Sequence, residues 1–82
     1  MKALRIWFDE SYIYVETNEL KIGKMPLEWF PSFKNATEID KNSFELWDDG
    51  TWIHWEKIGE DLSVEGFFSF DKDSQLSKTN LT

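Results

Sequence analysis

Apolar and polar positions alternate with a period of two over the first part of the chain, which is typical of β-strands. The alternating positions are Leu4, Ile6 and Phe8, then Tyr12, Tyr14 and Glu16. Aspartate, serine and asparagine in "DES" and "TNE" favour turns between them, and a third strand is predicted over Leu20 and Ile22, ending near Gly23. Short turns of this kind join antiparallel strands, so we predict a three-stranded meander.

The pattern changes at Pro26, which suits the first turn of a helix because that position needs no N–H donor. "PLEWFPSFKNA" then predicts a short helix that is irregular because Pro31 is tolerated only in a first turn. Thr37 is a favourable N-cap and, with Asp40 three residues later, predicts a second helix over Glu38–Ser43.

"FELWDDGTWIHW" predicts a hairpin because apolar residues flank the turn signal "DDG". A helix continuing through Phe44 and Trp47 is the alternative. Gly59 then interrupts the chain, and Ser63 or Asp61 could cap a final short helix. The apolar face of that helix would contain Val64, Phe67 and Phe68.

These elements predict a small α+β fold, an antiparallel three-stranded meander followed by short helices and a short hairpin. The chain has 82 residues, enough for one domain, which we place at residues 1–70. Residues 71–82 are polar and without periodicity, which predicts a disordered tail. Aromatic residues make up 17% of the chain, so we expect them to form most of the core.

The composition limits the cellular compartment that we expect for the protein and the kinds of chemistry open to it. The chain contains no cysteine, which excludes a disulfide framework and a thiolate metal site or nucleophile. "MKALRIWFDE" becomes acidic too early for a secretory signal, and no apolar stretch approaches the ~20 residues of a membrane span. We therefore expect a cytoplasmic protein that does not act at a membrane.

The acidic charge is concentrated in one segment. The chain carries a formal net charge of −7, and Ala36–Gly66 contains nine acidic residues and two lysines, so 2 − 9 = −7 lies there. Such a surface repels nucleic acid and attracts cationic partners. The simpler interpretation is that it keeps the protein soluble. In either case we expect no direct binding to nucleic acid.

His54 is the only histidine and the first candidate for chemistry. In a strand its side chain would share a face with Trp52, packed among aromatic rings and bonded to backbone, which is the structural interpretation. Glu56, Glu60 and Asp61 could join it around a metal, but one histidine with scattered acids is a weak zinc pattern. No nucleophile, carboxylate pair or glycine-rich phosphate loop completes a catalytic motif, so we predict no enzyme, no metal and no cofactor.

"LEWFPSF" allows two interpretations. Its aromatic side chains could line a groove for a proline-rich or extended peptide. Alternatively, Trp29, Phe30 and Phe33 anchor a helix to the sheet, as a small core requires.

Two longer segments resemble a known family. "MPLEWFPSFKNAT" resembles the recurring pattern "VPLEWFPRL…NAT", and "WIHWEKIGEDLSVEGFF" resembles "GIHWPELDEDLSVEGLL". "IWFDESYIYVET" is similar to the opening meander of the same group. The chain is thereby identified as a member of the bacterial domain-of-unknown-function family 2442, as a standalone member.

This resemblance implies a small α+β domain, found alone or fused to a helix-turn-helix. Solitary members are often encoded beside short basic proteins of another uncharacterised family, numbered 4160, in an arrangement similar to a toxin–antitoxin pair. The sequence departs from the family pattern at Ser32, Glu56 and Gly59, where arginine, proline and an acidic residue are usual. A family function carried by those residues would be altered here.

The leading functional hypothesis is a non-enzymatic interaction protein, the antitoxin-like partner of a small basic protein. Its candidate partner-binding residues are Asp48, Asp49, Trp52, His54, Trp55, Glu56, Glu60 and Asp61, the two tryptophans acting as apolar anchors where they remain exposed. The alternative is a small-molecule or peptide-binding sensory module related to transcriptional regulators, which predicts a concave pocket between the sheet and "LEWFPSF". A homodimer through an exposed sheet edge is compatible with either.

Overall fold

Two antiparallel sheets of three strands each, joined by short helices, make up the fold. The structure is a computed structural model and describes residues 1–69, so the predicted tail at residues 71–82 lies outside the described residues. The α+β class predicted from the sequence is confirmed. No helix among the described residues has the length and apolar character needed to cross a membrane.

The first sheet is the predicted meander, in the order β1 (Ala3–Phe8), β2 (Tyr12–Thr17) and β3 (Ile22–Pro26). The predicted end of the third strand near Gly23 is wrong, because the strand runs on to Pro26. Leu20 lies outside it, exposed and with a positive φ of 62°. Proline is tolerated at Pro26 because β3 is an edge strand and Pro26 is its last residue.

The turn between β1 and β2 is organised by Asp9, whose carboxylate accepts three hydrogen bonds. Oδ1 accepts the backbone N–H groups of Ser11 and Tyr12, both at 2.8 Å, and Oδ2 accepts the hydroxyl of Tyr14 at 2.5 Å. The hydrogen bond from the Tyr14 hydroxyl is the largest cause that lowers the pKa of Asp9 below its usual value of 3.8, and the two backbone hydrogen bonds lower it further. The same bond raises the pKa of Tyr14 above 10.0.

"PLEWFPSFKNA" does not form the single irregular helix predicted. Instead a 3₁₀ helix over Leu27–Trp29 is followed by α1 (Pro31–Lys34). Pro31 occupies the first turn of α1, the position in which the sequence predicted that it would be tolerated. The next helix, α2, spans Glu38–Asn42, and the Thr37 side chain caps it by accepting the backbone N–H of Asp40 at 3.1 Å, as predicted.

The second sheet contains the predicted hairpin and one strand that was not predicted. β4 (Glu45–Trp47) and β5 (Trp52–Trp55) pair antiparallel, so the helical alternative is wrong. Asp48 and Asp49 turn the chain with φ of 53° and 59°, values that aspartate tolerates and that suit hairpin turns. The additional strand, β6 (Glu60–Ser63), pairs with the other edge of β5.

Trp55 lies at the centre of the core and connects the helices to both sheets. Its side chain is 0% exposed, and its ring centroid lies 5.0 Å from that of Phe33, 6.0 Å from Phe44 and 6.3 Å from Phe8. Its indole N–H donates to the carbonyl of Lys41 at 2.9 Å. Carbonyls in the last turn of a helix have no partner within the helix, so this bond also completes the end of α2.

After β6 the chain turns back over the first sheet. The Ser63 hydroxyl accepts the backbone N–H of Gly66 at 3.0 Å, as predicted for the cap of the final helix. Residues 66–69 are helical and Phe67 is buried, as predicted. Val64 is buried but precedes the helix, and Asp61, the alternative cap, lies in β6. A side chain at Gly23 would place its Cβ 3.0 Å from ring atoms of Phe68. The absence of a side chain at Gly23 therefore allows this segment to approach β3.

Candidate functional site

One face of the second sheet is turned away from the core and carries aromatic and acidic side chains. Ile53, Trp55 and Leu62 face the core and are buried. Because successive side chains of a strand point to opposite faces, the residues between them point outward. We call the opposite side the outer face; its members are Glu45, Trp47, Trp52, His54, Asp61 and Ser63.

The two outer-face tryptophans remain open to solvent. Trp47 and Trp52 lie directly opposite each other across β4 and β5 and are 47% and 42% exposed. Large aromatic side chains usually bury most of their surface. Two exposed indoles side by side are therefore the main apolar feature of this face.

His54 lies under Trp47 and is bonded to Asp61. The imidazole and indole rings stack with centroids 4.0 Å apart and planes 19° apart, and the Nδ1–H of His54 donates a hydrogen bond to Oδ1 of Asp61 on the opposing strand. The predicted packing against an aromatic ring is present, but the expected backbone partner is replaced by a carboxylate. Nε2 is left facing Glu56, with Oε1 at 3.9 Å.

Glu45 belongs to the same cluster, although the sequence did not single it out. It lies opposite His54 in the β4–β5 register, and its Oε1 accepts the indole N–H of Trp47 at 3.2 Å. The signal that could have identified it is its position, two residues before Trp47 in a strand, where both side chains share a face.

Three side chains of this cluster have the geometry to share a cation. The potential ligand atoms of Glu45, His54 and Glu56 all lie within 4.8 Å of one another. Glu60 and Asp61, the other acids considered from the sequence, are not part of this set. The bond from Asp61 to Nδ1 orients the imidazole so that Nε2 faces Glu56, and a carboxylate bonded to the other ring nitrogen is also found behind metal-bound histidines.

The other predicted site residues fall in different places. Trp55 is fully buried. It therefore cannot act as an apolar anchor for a partner, a role expected only of exposed tryptophans. Glu60 projects toward α1, where its Oε2 accepts the hydroxyl of Ser32 at 2.9 Å. Asp48 and Asp49 are exposed in the β4–β5 turn, at the end of the outer face.

The hydroxyl groups of the described residues form no hydrogen bond with His54. Ser63 lies on the same face, but its hydroxyl is bonded to the backbone N–H of Gly66. The histidine is thus paired with carboxylates rather than with a hydroxyl nucleophile, and this arrangement provides charge and hydrogen-bonding groups for binding.

A cleft lies elsewhere, between the first sheet and the "LEWFPSF" segment, where the sensory-module hypothesis predicted a concave pocket. Its volume is about 520 Å³, and it is lined by Asp9, Glu10, Ser11, Tyr12, Pro26, Leu27, Glu28, Phe33, Lys34 and Lys41. The backbone N–H of Leu27 donates to the carbonyl of Ser11 at 2.9 Å and joins two of its walls. The cleft and the outer face share no residue.

Comparison with known proteins identifies the family. The family model described as "Protein of unknown function (DUF2442)" matches residues 3–73, and the chain belongs to this family. A protein of unknown function from Rhodospirillum rubrum ATCC 11170 has a similar solved structure, with a TM-score of 0.64 over 83% of this chain and 84% of that chain. At 20% sequence identity this similarity shows the fold alone. No curated protein matches the chain.

The positions that depart from the family pattern occupy exposed sites. Ser32 donates to Glu60, so the usual arginine at this position would lie beside a carboxylate. Gly59 has a φ of 79°, and a Cβ added there would meet no atom within 4 Å. A side chain at this position would therefore fit sterically but would strain the backbone, because a positive φ favours glycine. The side chain of Glu56 is 82% exposed and contributes an acid beside the outer face.

Proposed function

We propose that this protein is a non-enzymatic interaction module that binds a small basic protein through the outer face of its second sheet. The observation that carries the proposal is the pair of exposed indoles, Trp47 and Trp52, flanked by carboxylates. Exposed aromatic residues next to charged groups are typical of the side chains that dominate binding energy at protein interfaces. Among residues 1–69, none forms a ring contact with Trp52.

Charge complementarity supports a basic occupant. Glu45 and Asp61 lie on the outer face, Glu56 lies beside it, and Asp48 and Asp49 lie at its end. The negative charge of this region would accelerate encounter with a cationic surface and disfavour acidic partners. An acidic or nucleic-acid partner would instead have to overcome repulsion.

The chemistry of the face suits arginine in particular. A guanidinium group stacks on an indole ring while its N–H groups pair with carboxylate oxygens. Trp47 has carboxylates from Glu45 and Glu56 near the imidazole on which it stacks. Arginine side chains of the partner would therefore find stacking surface and hydrogen-bond acceptors together.

An antitoxin-like role would follow from the same contact. A basic protein that acts on nucleic acid needs a cationic surface for the phosphate backbone. If that surface is covered by the outer face, it cannot bind nucleic acid. The genomic arrangement implied by the family resemblance motivates this form of the proposal.

The test starts by capturing the partner and then measures the contact with purified proteins. The chain is tagged at Thr82, captured from its native cells at low salt, and the co-purifying protein is identified and expressed. Its affinity is then measured for the wild type and for the double variant Glu45→Lys, Glu56→Lys. We expect the double variant to bind at least about tenfold more weakly.

A matched control separates local contact from net charge. The double variant Glu19→Lys, Glu28→Lys changes the net charge by the same amount at exposed positions away from the outer face. It should retain affinity within about threefold, whereas Trp52→Ala should lose about tenfold or more. Equal effects of both double variants, or the absence of any stoichiometric basic partner, would refute the proposal.

A further inference from the structure

The imidazole of His54 is held in place by two neighbouring side chains. It stacks on the indole ring of Trp47 with centroids 4.0 Å apart, and its Nδ1–H donates to Oδ1 of Asp61. The side chain of His54 is only 18% exposed, so most of the ring is covered. The second ring nitrogen, Nε2, therefore has a fixed direction.

The Nε2 atom of His54 faces another hydrogen-bond acceptor. In the neutral imidazole whose proton is on Nδ1, Nε2 carries a lone pair, and an ionised carboxylate only accepts hydrogen bonds. Oε1 of Glu56 lies 3.9 Å from Nε2, and no group within residues 1–69 donates a hydrogen bond to this nitrogen. Because a lone pair and an anionic oxygen repel each other, this arrangement favours a cation between them.

A second carboxylate approaches the same nitrogen from β4. Glu45 lies opposite His54 in the β4–β5 register, and the potential ligand atoms of Glu45, His54 and Glu56 all lie within 4.8 Å of one another. One oxygen of Glu45 accepts the indole N–H of Trp47 at 3.2 Å. A carboxylate has two oxygens with several lone pairs, so Glu45 keeps the capacity to bind an ion.

We propose that Glu45, His54 and Glu56 bind a zinc ion through one carboxylate oxygen from each glutamate and the Nε2 atom of the histidine. Zinc accepts imidazole nitrogen and carboxylate oxygen in the same site, and sites with three protein ligands keep a water in the fourth position. The two carboxylates balance the double charge of the ion. Magnesium and calcium prefer oxygen ligands throughout, so the imidazole selects against them.

Asp61 acts in this site as a positioning residue. Metal-bound histidines almost always donate their other ring N–H to a carboxylate, a carbonyl or a water, which fixes the tautomer and the orientation of the ring. The bond from Nδ1–H to Asp61 has this form. It leaves Nε2 as the nitrogen available to the ion.

The separations between the ligand atoms allow tetrahedral coordination after small side-chain movements. With bonds of about 2.0–2.2 Å to zinc, tetrahedral ligand atoms lie about 3.3–3.6 Å apart. Nε2 and Oε1 of Glu56 are 3.9 Å apart, and no pair of ligand atoms needs to approach by more than about 1.5 Å. Glu45 and Glu56 are exposed, so their side chains can close this distance without a change in the backbone of the sheet.

The test is an NMR titration of the isolated, untagged chain with zinc chloride at neutral pH. The chain contains one histidine, so every imidazole ¹⁵N signal belongs to His54. We expect a change that saturates at one zinc per chain and is larger at Nε2 than at Nδ1. Magnesium chloride should produce no such change. Calorimetry of the same titration gives the affinity.

Glutamine variants test the ligands with little change in side-chain size. Glu45→Gln and Glu56→Gln should each weaken zinc binding at least about tenfold, and Asp61→Asn should weaken it about 10–100-fold through the orientation of the ring. The matched control is Glu19→Gln, which removes the same charge from an exposed position in the β2–β3 turn. Its affinity for zinc should equal that of the wild type.

Thermal unfolding gives an independent measure of zinc binding. Folding brings the ligands on β4 and β5 together, so zinc at about ten times its dissociation constant should raise the midpoint of the wild type by about 6–11 °C. The proposal would be overturned by a titration that does not saturate at one zinc per chain, by a larger change at Nδ1, or by equal affinities of Glu56→Gln and Glu19→Gln. None of these measurements includes a basic partner, so this proposal and the proposed function fail separately.

Discussion

Trp52 and Trp55 lie on opposite faces of β5, and replacing each with phenylalanine tests the division between outer face and core. Trp55 is 0% exposed and donates to the Lys41 carbonyl, whereas Trp52 is 42% exposed. The same chemical change therefore removes part of a buried ring system and a hydrogen bond at one position, and mainly solvent-exposed surface at the other.

The expected loss of stability can be worked out from these contacts. Complete truncation of a buried tryptophan costs about 3–5 kcal/mol, and the smaller change to phenylalanine about 1 kcal/mol of packing. The Lys41 carbonyl, whose hydrogen bond is partly buried, would lose its partner, which costs about 1–3 kcal/mol. Trp55→Phe should therefore lower the free energy of unfolding by about 2–4 kcal/mol, a large share of the ~4–12 kcal/mol expected for a domain of this size.

Urea denaturation of the two variants measures the difference. Trp52→Phe should lie within about 0.5 kcal/mol of the wild type, as expected for an exposed site. In thermal unfolding, Trp55→Phe should lower the midpoint by about 10–20 °C. If the two variants lost equal stability, the assignment of Trp55 to the core and of Trp52 to the outer face would be refuted.

Three further changes test other parts of the structure. Gly23→Ala should cost about 1–3 kcal/mol in urea denaturation, because its methyl group would meet Phe68 at 3.0 Å; an unchanged midpoint would contradict that contact. The pKa of Asp9 is lowered on folding, so the stability that this carboxylate contributes is present above pH 3.8 and is lost as pH falls through its folded value. Asp9→Asn should therefore flatten the fall in urea midpoint between neutral and acidic pH, and an equally steep fall would contradict this. Ser32→Arg would place a cation beside Glu60 and should raise stability by no more than about 1 kcal/mol, more at low salt; a salt-independent change would exclude an ion pair.

The elements with local signals could be predicted from the sequence. Alternation predicted β1 and β2, Thr37 predicted the start of α2, and "DDG" predicted the β4–β5 hairpin. Each of these depends on a few neighbouring residues, such as a side chain that caps its own helix or tolerates a left-handed turn.

The elements that depend on pairing with distant residues could not be predicted from the sequence. "EDLS" is short and acidic and has no β-branched residue, so only its register against β5 makes β6 a strand. Because β6 was missed, the bond between Asp61 and His54 was missed as well. The extension of β3 to Pro26 was missed for a related reason, since an edge strand accepts proline that a central strand would not.

The stacking of Trp47 on the chain's single histidine makes the outer face its own optical reporter. The emission of an indole depends on the groups in contact with its ring, and one of those groups here is the imidazole of His54. A bound molecule that separates the two rings would change the emission in its turn. Occupancy of the face could thus be followed in the unlabelled protein, with Trp47→Phe identifying the part of the signal that comes from this ring pair.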